Sequence, residues 1–250
     1  LIVPLIAILP LAFTSSVFLT YPIPDYSLRW FRELAVADVW RLSIVNSLIV
    51  GTGTTILASV LGAMASLGLR SSCLILPGLF RTAFLLPMVV PAVVLGVGMQ
   101  VFFVQIGLAN SYSGVICAHT VVAVPFVVVS VSASLAGIDR QIERAAASLG
   151  AAPFTVFRRV TFPLALPGIL SGAVLAFATS LDEVVLTLFV AGPNQRTLAR
   201  QMFSTIKENF SPAIAAAAFL FIAGTLLVAA IAMLVRGMGR SKISGIVRGH

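Results

Sequence analysis

The chain has 250 residues, 59% of them hydrophobic and only 10% charged, and its mean hydropathy is +1.09. A water-soluble domain carries roughly 25% charged residues, and a chain this apolar lacks the polar surface to cover a soluble core, so the composition implies an integral membrane protein. The formal charge of +8 is spread through the connections between apolar runs, not gathered into one basic stripe, which argues against nucleic acid as a partner and leaves the lipid bilayer.

Six apolar runs stand out, at about residues 1–20, 44–69, 82–106, 113–136, 167–191 and 213–235. Each is long enough to cross a hydrocarbon core of about 30 Å as a helix. The roughly ten-residue alternation of a membrane β-barrel is absent, so helices must satisfy the backbone. The predicted fold is an all-α integral membrane bundle of six transmembrane helices, one domain over residues 1–250. The opening "LIVPLIAILPLAFTSSVFLT" has no Met and no basic start. It is expected to be a first span with a segment missing before it, not a cleaved signal peptide.

The stretch "YPIPDYSLRWFRELAVADVWRLS" mixes Tyr26, Trp30, Phe31 and Trp40 with charge. It predicts an interfacial hairpin or short amphipathic helix, serving either as an aromatic anchor at the headgroups or as a dock for an external partner. In the second run, Gly51, Thr55, Ser59 and Ala63 recur at every fourth position, a spacing that suits close helix packing. Its "GTGTT" lacks the lysine of a phosphate loop. Cys73 and Cys117 have no CxxC or histidine beside them and are expected to be small hydrophobes, with no metal or redox site. The third run, "LLPMVVPAVVLGVGMQ", is interrupted by Pro87, Pro91, Gly96 and Gly98, and the fourth by Pro125. Broken helices persist in membranes where protein or a water-filled cavity re-satisfies the backbone, so these sites are kinks or mark a protein that moves. His119 is expected to be a packed helix residue, and His250 is terminal.

Lysines and arginines orient the bundle. One set of connections holds Arg70, Arg81, Arg140, Arg144, Arg158 and Arg159, together with Arg236, Arg240, Lys242 and Arg248 of the tail. The opposite set holds Arg29, Arg32, Arg41, Arg196, Arg200 and Lys207, diluted by acids. The richer set is expected to face the cytoplasm, with both termini on that side.

The connection "GIDRQIERAAASLGAAPFTVFRRVTFPLALPG" sits on the cytoplasmic side. Ile142, Ala145, Ala146 and Leu149 recur at helical spacing, with Asp139, Arg140, Glu143 and Arg144 on the other faces. Gly150 is expected to end that helix. Pro153 opens a second short helix through "FTVFRRV", which Pro163 and Pro167 are expected to stop before the fifth span. A helix–turn–helix attached to two membrane helices can pass a push from a partner into the membrane.

The fifth run, "SGAVLAFATSLDEVVLTLFVAG", carries Asp182 and Glu183. Each acid at the centre of a membrane helix costs about 2.5–3.5 kcal/mol on insertion scales. From Pro167, Asp182 lies about 22 Å along a helix, past the midplane. Adjacent residues point about 100° apart, so the two carboxylates cannot share one face. At least one is expected to line a passage and favour ammonium groups, with Ser180 and Thr179 beside it. The other possibility is a structural ion pair with Arg196, Arg200 or a partner's arginine.

The 137–167 connection resembles the EAA loop of permease subunits in binding-protein-dependent ABC importers: Glu-Ala-Ala, three residues, Gly, nine residues, an aliphatic residue, one residue, then Leu-Pro. Ala145, Ala146, Gly150, Val160, Phe162 and Pro163 fall at the matching spacings. The glutamate position holds Arg144, and the acid lies one place earlier as Glu143, a shift of about 100° around a helix. "NSL" at 46–48, "LPMVVPAVVLGVG" and "SLDEVVLTLFVAGPNQRTL" extend the likeness to the polyamine permease subgroup.

The resemblance implies a type I importer permease fold in a bacterial inner membrane and a second permease subunit, identical or homologous. It also implies two cytoplasmic ATPase subunits holding ATP and Mg, and an extracytoplasmic solute-binding protein. Glu143, Arg144, Ala145, Ala146, Ser148, Gly150, Phe157 and Pro163 would couple to the ATPase. The chain itself carries no ATP-binding motif and would be a transport subunit without metal or catalytic residues. The implied cargo is a small organic amine, spermidine or putrescine foremost. The alternatives in the same machine are an amino acid such as 4-aminobutyrate, an opine, thiamine or a phosphonate. An intramembrane enzyme would need more than a single histidine without GxSxG or metal-ligand spacing, and a stand-alone channel leaves the 137–167 loop unexplained.

Overall fold

The computed structural model describes residues 2–70, 75–208 and 211–247, with side chains described except at residues 2–5, 140 and 231–247. Cys73, Arg248 and His250 lie outside the described residues, as do the side chains of Arg140, Arg236, Arg240 and Lys242. Twelve α-helices run through the described chain: α1 Ile2–Leu11, α2 Arg29–Val36, α3 Asp38–Leu69, α4 Pro77–Leu85, α5 Ala92–Gln105, α6 Tyr112–Ala136, α7 Arg140–Ser148, α8 Pro153–Val156, α9 Phe162–Asp182, α10 Val185–Val190, α11 Leu198–Glu208 and α12 Ala213–Val247.

Four stretches are long and apolar enough to cross a membrane: Asp38–Arg70, Tyr112–Ala136, Pro153–Asp182 and Ala213–Ala230. Pro77–Met88 with Ala92–Gln105 makes a fifth if counted as one broken span. The break falls where the sequence put it. Pro87 lies in a 3-10 turn, Leu86–Met88, and Pro91 is the residue before α5. Pro125, by contrast, sits inside an α6 that runs on without a break. The expected first span is different. The helix α1 ends at Leu11 and does not run on to residue 20. The chain then folds back: Thr14 and Tyr26 form an isolated antiparallel bridge, and the Ser15 N–H donates to the Asp25 carbonyl at 3.0 Å.

The fifth span also departs from expectation, because Pro163 and Pro167 do not stop the preceding helix. Helix is continuous over Pro153–Asp182, through a π turn at Phe157–Thr161 whose cap bond runs from the Phe162 N–H to the Phe157 carbonyl. A π turn widens the hydrogen-bond ring and makes room for a proline ring in the turn that follows.

The chain divides into two compact units. One comprises Leu1–Thr52, Pro91–His119 and Ser180–Val228. Its core gathers Trp30 and Leu34 of α2, Trp40 of α3, Leu198 of α11 and Ala213, Ala216 and Ala217 of α12. Phe13, Phe31 and Phe219 stack against it with centroids 5.1–5.6 Å apart. Trp30 and Trp40 are therefore core residues of this unit. α2 is amphipathic and turns its i, i+4 pair Trp30 and Leu34 inward, leaving Tyr26 exposed.

The other unit comprises Gly53–Val90, Thr120–Thr179 and Ala229–His250. Its core is Ala58, Ala123, Val127, Val131, Leu135, Ala165 and Ala176. The small-residue seam of α3 runs through Thr54, Ala58, Gly62 and Ser66, all buried, one position ahead of Thr55, Ser59 and Ala63, which lie half-buried on its flank. Gly62 lets Val127 approach so closely that an added Cβ would stand 2.6 Å from the valine Cβ. Such contact is what holds helices together where lipid removes the hydrophobic drive.

Candidate functional site

The 137–167 loop is built as a compact bracket. Asp139 caps α7, its side chain accepting from the Gln141 N–H at 2.8 Å. Gly150, just past the C-cap Leu149, has φ +82°, a left-handed conformation that glycine adopts without the penalty of a Cβ. The helix ends where the sequence said it would.

Which face points inward differs from the pattern. The Glu143 carboxylate turns toward the protein and accepts from Arg70 Nη1 and from Thr161 Oγ1, both at 2.7 Å. Arg70 also donates to the Ile138 carbonyl at 2.9 Å. One carboxylate thus joins the end of α3, α7 and the π turn. It sits one residue earlier than the family position, and it is the acid that makes the ion pair. Arg144 is exposed at the edge of a cavity of about 560 Å³ that Phe157 also lines. Ala145, Ser148, Gly150 and Pro163 are exposed and Ala146 half-buried; the Ser148 hydroxyl donates to the Arg144 carbonyl. The apolar side of the bracket is uncovered: Leu149 is 89% exposed, Phe154 70% and Ile142 49%.

The second part of the site is the break between α9 and α10. Asp182 ends α9, and α10 begins at Val185. The expected single span over residues 167–191 is interrupted here, so Glu183 lies outside any helix and the 100° offset of a continuous helix does not apply to the pair. Asp182 is exposed and faces a cavity of about 290 Å³ with Val184, Met202, Phe203, Phe221 and Ile222 among its walls. Glu183 bends back and accepts from the Leu186 N–H at 2.8 Å, capping the first turn of α10. Among the described residues neither carboxylate pairs with an arginine; the ion pairs there are Arg41–Asp38 and Arg70–Glu143. Arg200 instead donates to the carbonyls of Thr187 and Ala191, at 3.0 and 2.8 Å, closing the far end of α10. Arg196 Nη1 reaches Gln201 at 3.4 Å.

Ser180 is buried and within 2.8 Å of His119 Nδ1, and Thr179 is half-buried. His119 is fully buried and its Nε2 lies 2.9 Å from Thr187 Oγ1. Its role as a bridge between the two sides of the break was not foreseen. The usable signal is that a polar side chain inside an apolar run must find partners. The same holds for Asn46. Its amide donates to the carbonyls of Asn194 and Arg196, at 2.8 and 2.9 Å, and its Oδ1 accepts from the Tyr112 hydroxyl at 2.8 Å. Ser47 Oγ accepts from the Leu198 N–H and so caps α11. The "NSL" segment pins the loop that follows α10. Among the described residues no three His, Cys, Asp or Glu side chains converge as metal ligands.

Residues 58–240 match the family described as "Binding-protein-dependent transport system inner membrane component". The chain is 32% identical over 241 residues to the putrescine transport system permease protein PotI of Escherichia coli (strain K12), covering 92% of this chain and 84% of that protein. It is 27% identical to the spermidine/putrescine transport system permease protein PotC of the same strain, over 98% of this chain and 91% of that one. It is 34% identical to the molybdenum transport system permease protein ModB of Mycobacterium bovis, over 87% and 89%. Among solved structures, a bacterial ABC transporter involved in the import of alginate superposes with a TM-score of 0.72 at 14% identity, over 93% of this chain and 89% of that one. This likeness carries the fold alone.

Proposed function

We propose, starting from the fact that the chain belongs to the family of binding-protein-dependent transport system inner membrane components, that it passes a small organic amine, putrescine or spermidine foremost, from a solute-binding protein to the cytoplasm by alternating access. The chain is a multi-pass inner membrane transport subunit of an ABC importer, with the type I permease fold, and not an enzyme. In the proposed assembly a second permease subunit stands beside it, and two ATPase subunits holding ATP and Mg bind the cytoplasmic side.

The observation that carries the cargo is Asp182. Its carboxylate has no arginine partner among the described residues and faces a cavity walled by Phe203, Phe221 and aliphatic side chains. Asp182 is exposed at this recess, where a carboxylate without an arginine attracts an ammonium; the Phe203 ring already holds one cation, the Lys207 ammonium 4.5 Å from its centroid, and the apolar walls suit a methylene chain. Glu183, Ser180 and Thr179 shape the same stretch. PotI and PotC are named for polyamines, in keeping with this reading.

ATP coupling rests on the uncovered apolar side of α7 and its turn. Leu149 and Phe154 lie among charged residues, where an ATPase subunit would cover them. Glu143, Arg144, Ala145, Ala146, Ser148, Gly150, Phe157 and Pro163 would form or hold that contact.

The test is uptake into proteoliposomes holding the complete complex, with putrescine, 4-aminobutyrate and molybdate as probes. Asp182→Asn is expected to raise the putrescine KM about tenfold or more while the assembled complex is recovered at wild-type yield. Unchanged putrescine uptake would refute the cargo assignment. Leu149→Asp is expected to leave thermal stability untouched and to lower co-purification of the ATPase subunits; full co-purification would refute the docking role.

A further inference from the structure

The buried histidine has a hydroxyl partner at each ring nitrogen. Nδ1 lies 2.8 Å from Ser180 Oγ and Nε2 2.9 Å from Thr187 Oγ1. A charged imidazole buried in an apolar span is costly, so the ring is neutral. A neutral imidazole has one donor and one acceptor nitrogen, and a hydroxyl serves as either, so both contacts are satisfied in either tautomer. Thr187 Oγ1 also lies 3.0 Å from the Glu183 carbonyl. The contacts form a chain from the Ser180 hydroxyl through the imidazole and the Thr187 hydroxyl to the Glu183 carbonyl.

This chain begins on the last turn of α9 and ends at the residue after Asp182. Ser180 lies on one side of the break, Thr187 on the other, and the imidazole of α6 holds both. Helix propensity offers nothing to define a break in an apolar run. Here its register is set by a donor and an acceptor on opposite edges of one rigid ring.

We propose that His119 is a positioning residue for the passage: it fixes the α9–α10 break in the register that turns Asp182 into its cavity, and thereby sets the affinity for the ammonium group. This rests on the pathway role given to Asp182. His119→Phe keeps a ring and loses both hydrogen bonds, whereas His119→Gln keeps a donor and an acceptor. Thr187→Val keeps the shape of its side chain and cuts the chain in the middle.

The experiment uses the full complex, with its binding protein, in proteoliposomes. His119→Phe and Thr187→Val are expected to raise the putrescine KM at least fivefold, while ATP hydrolysis stimulated by the loaded binding protein stays within twofold of wild type. His119→Gln is expected to recover at least half of the loss. A separate reading of the break uses Asp182→Cys in a chain with Cys73→Ala and Cys117→Ala, labelled with a cationic methanethiosulfonate. Adding His119→Phe is expected to change the labelling rate at least fivefold.

Unchanged KM and unchanged labelling in assembled complex would overturn the proposal. So would a lower yield of complex whose remaining molecules have wild-type KM, since that is the signature of packing alone. If His119→Phe fails to assemble, Thr187→Val decides by the same two measurements. If Asp182→Asn transports putrescine normally, the pathway role falls by itself. The labelling shift then still decides whether His119 sets the break.

Discussion

Removing the Glu143 carboxylate is expected to release α7 from the rest of its unit. Two hydrogen bonds of 2.7 Å end on that carboxylate, one from Arg70 and one from Thr161. Breaking a buried ion pair costs about 3–5 kcal/mol. The Arg70 and Glu143 side chains retain 15% and 25% exposure, and the guanidinium keeps the Ile138 carbonyl, so the lower end applies. Glu143→Ala should therefore cost about 3 kcal/mol, and Thr161→Val, losing one bond to a charged group, about 1.5 kcal/mol. Hydrogen exchange of the α7 amides in the detergent-purified complex reads this as local opening. At 1.4 kcal/mol per decade, protection falls about 100-fold in Glu143→Ala. Arg70→Met leaves the carboxylate short of its cation and should cost about 3 kcal/mol by the same reasoning. The double variant should cost less than the sum by at least 1 kcal/mol, because the second change finds the pair already broken. Additivity within about 0.5 kcal/mol, or a loss of protection under threefold in Glu143→Ala, would refute the ion pair as the fastening of the loop.

Gly150→Val places a β-branched side chain at φ +82°, a strain of about 1–2 kcal/mol or more, whereas Asn tolerates the conformation. Membrane insertion of Gly150→Val should be normal and ligand-stimulated ATP hydrolysis lost, with Gly150→Asn retaining most of it. Gly62→Leu drives a side chain into Val127 and should lower the stability of the purified protein by about 1–3 kcal/mol, seen as a lower melting temperature in detergent. Gly68→Leu, with open space at its Cβ, is the control expected to melt like wild type. Arg200→Gln removes the guanidinium that holds the Thr187 and Ala191 carbonyls. It should speed exchange of the α10 amides at least tenfold, and an unchanged rate would show that α10 does not depend on that cap.

Much of the fold was legible where a signal is local. The second, fourth and sixth apolar runs became α3, α6 and α12, because a long apolar stretch has one backbone solution in lipid. The breaks at Pro87 and Pro91, the Asp139 start and the Gly150 stop of α7 were legible for the same kind of reason. At the site, the helical repeat did not decide the directions of Asp182 and Glu183, because the helix breaks between them.

Other features depended on partners far along the chain. The Glu143–Arg70 pair spans 73 residues and the His119–Ser180 pair 61. Periodicity grouped Glu143 with Arg144 on an outward face, and only packing turned one inward and left Leu149 uncovered. The seam of α3 moved by one position because Val127 needs the space at Gly62. Trp30 and Trp40 are buried because Leu198 and the alanines of α12 gave them a core.

By itself, then, the sequence determined that this chain lives in a bilayer, where it must be helical, where α7 starts and stops, and that it carries a bracket between two spans. Composition, proline, glycine and capping residues act within a few positions of themselves, and that range suffices for such facts. The tertiary structure alone decided which carboxylate is fastened and which is left facing a cavity. It also decided that a histidine ties the two sides of a broken helix. A buried polar group must be satisfied, but its chemistry does not say by whom; that is set by which distant segments the packing brings within 3 Å.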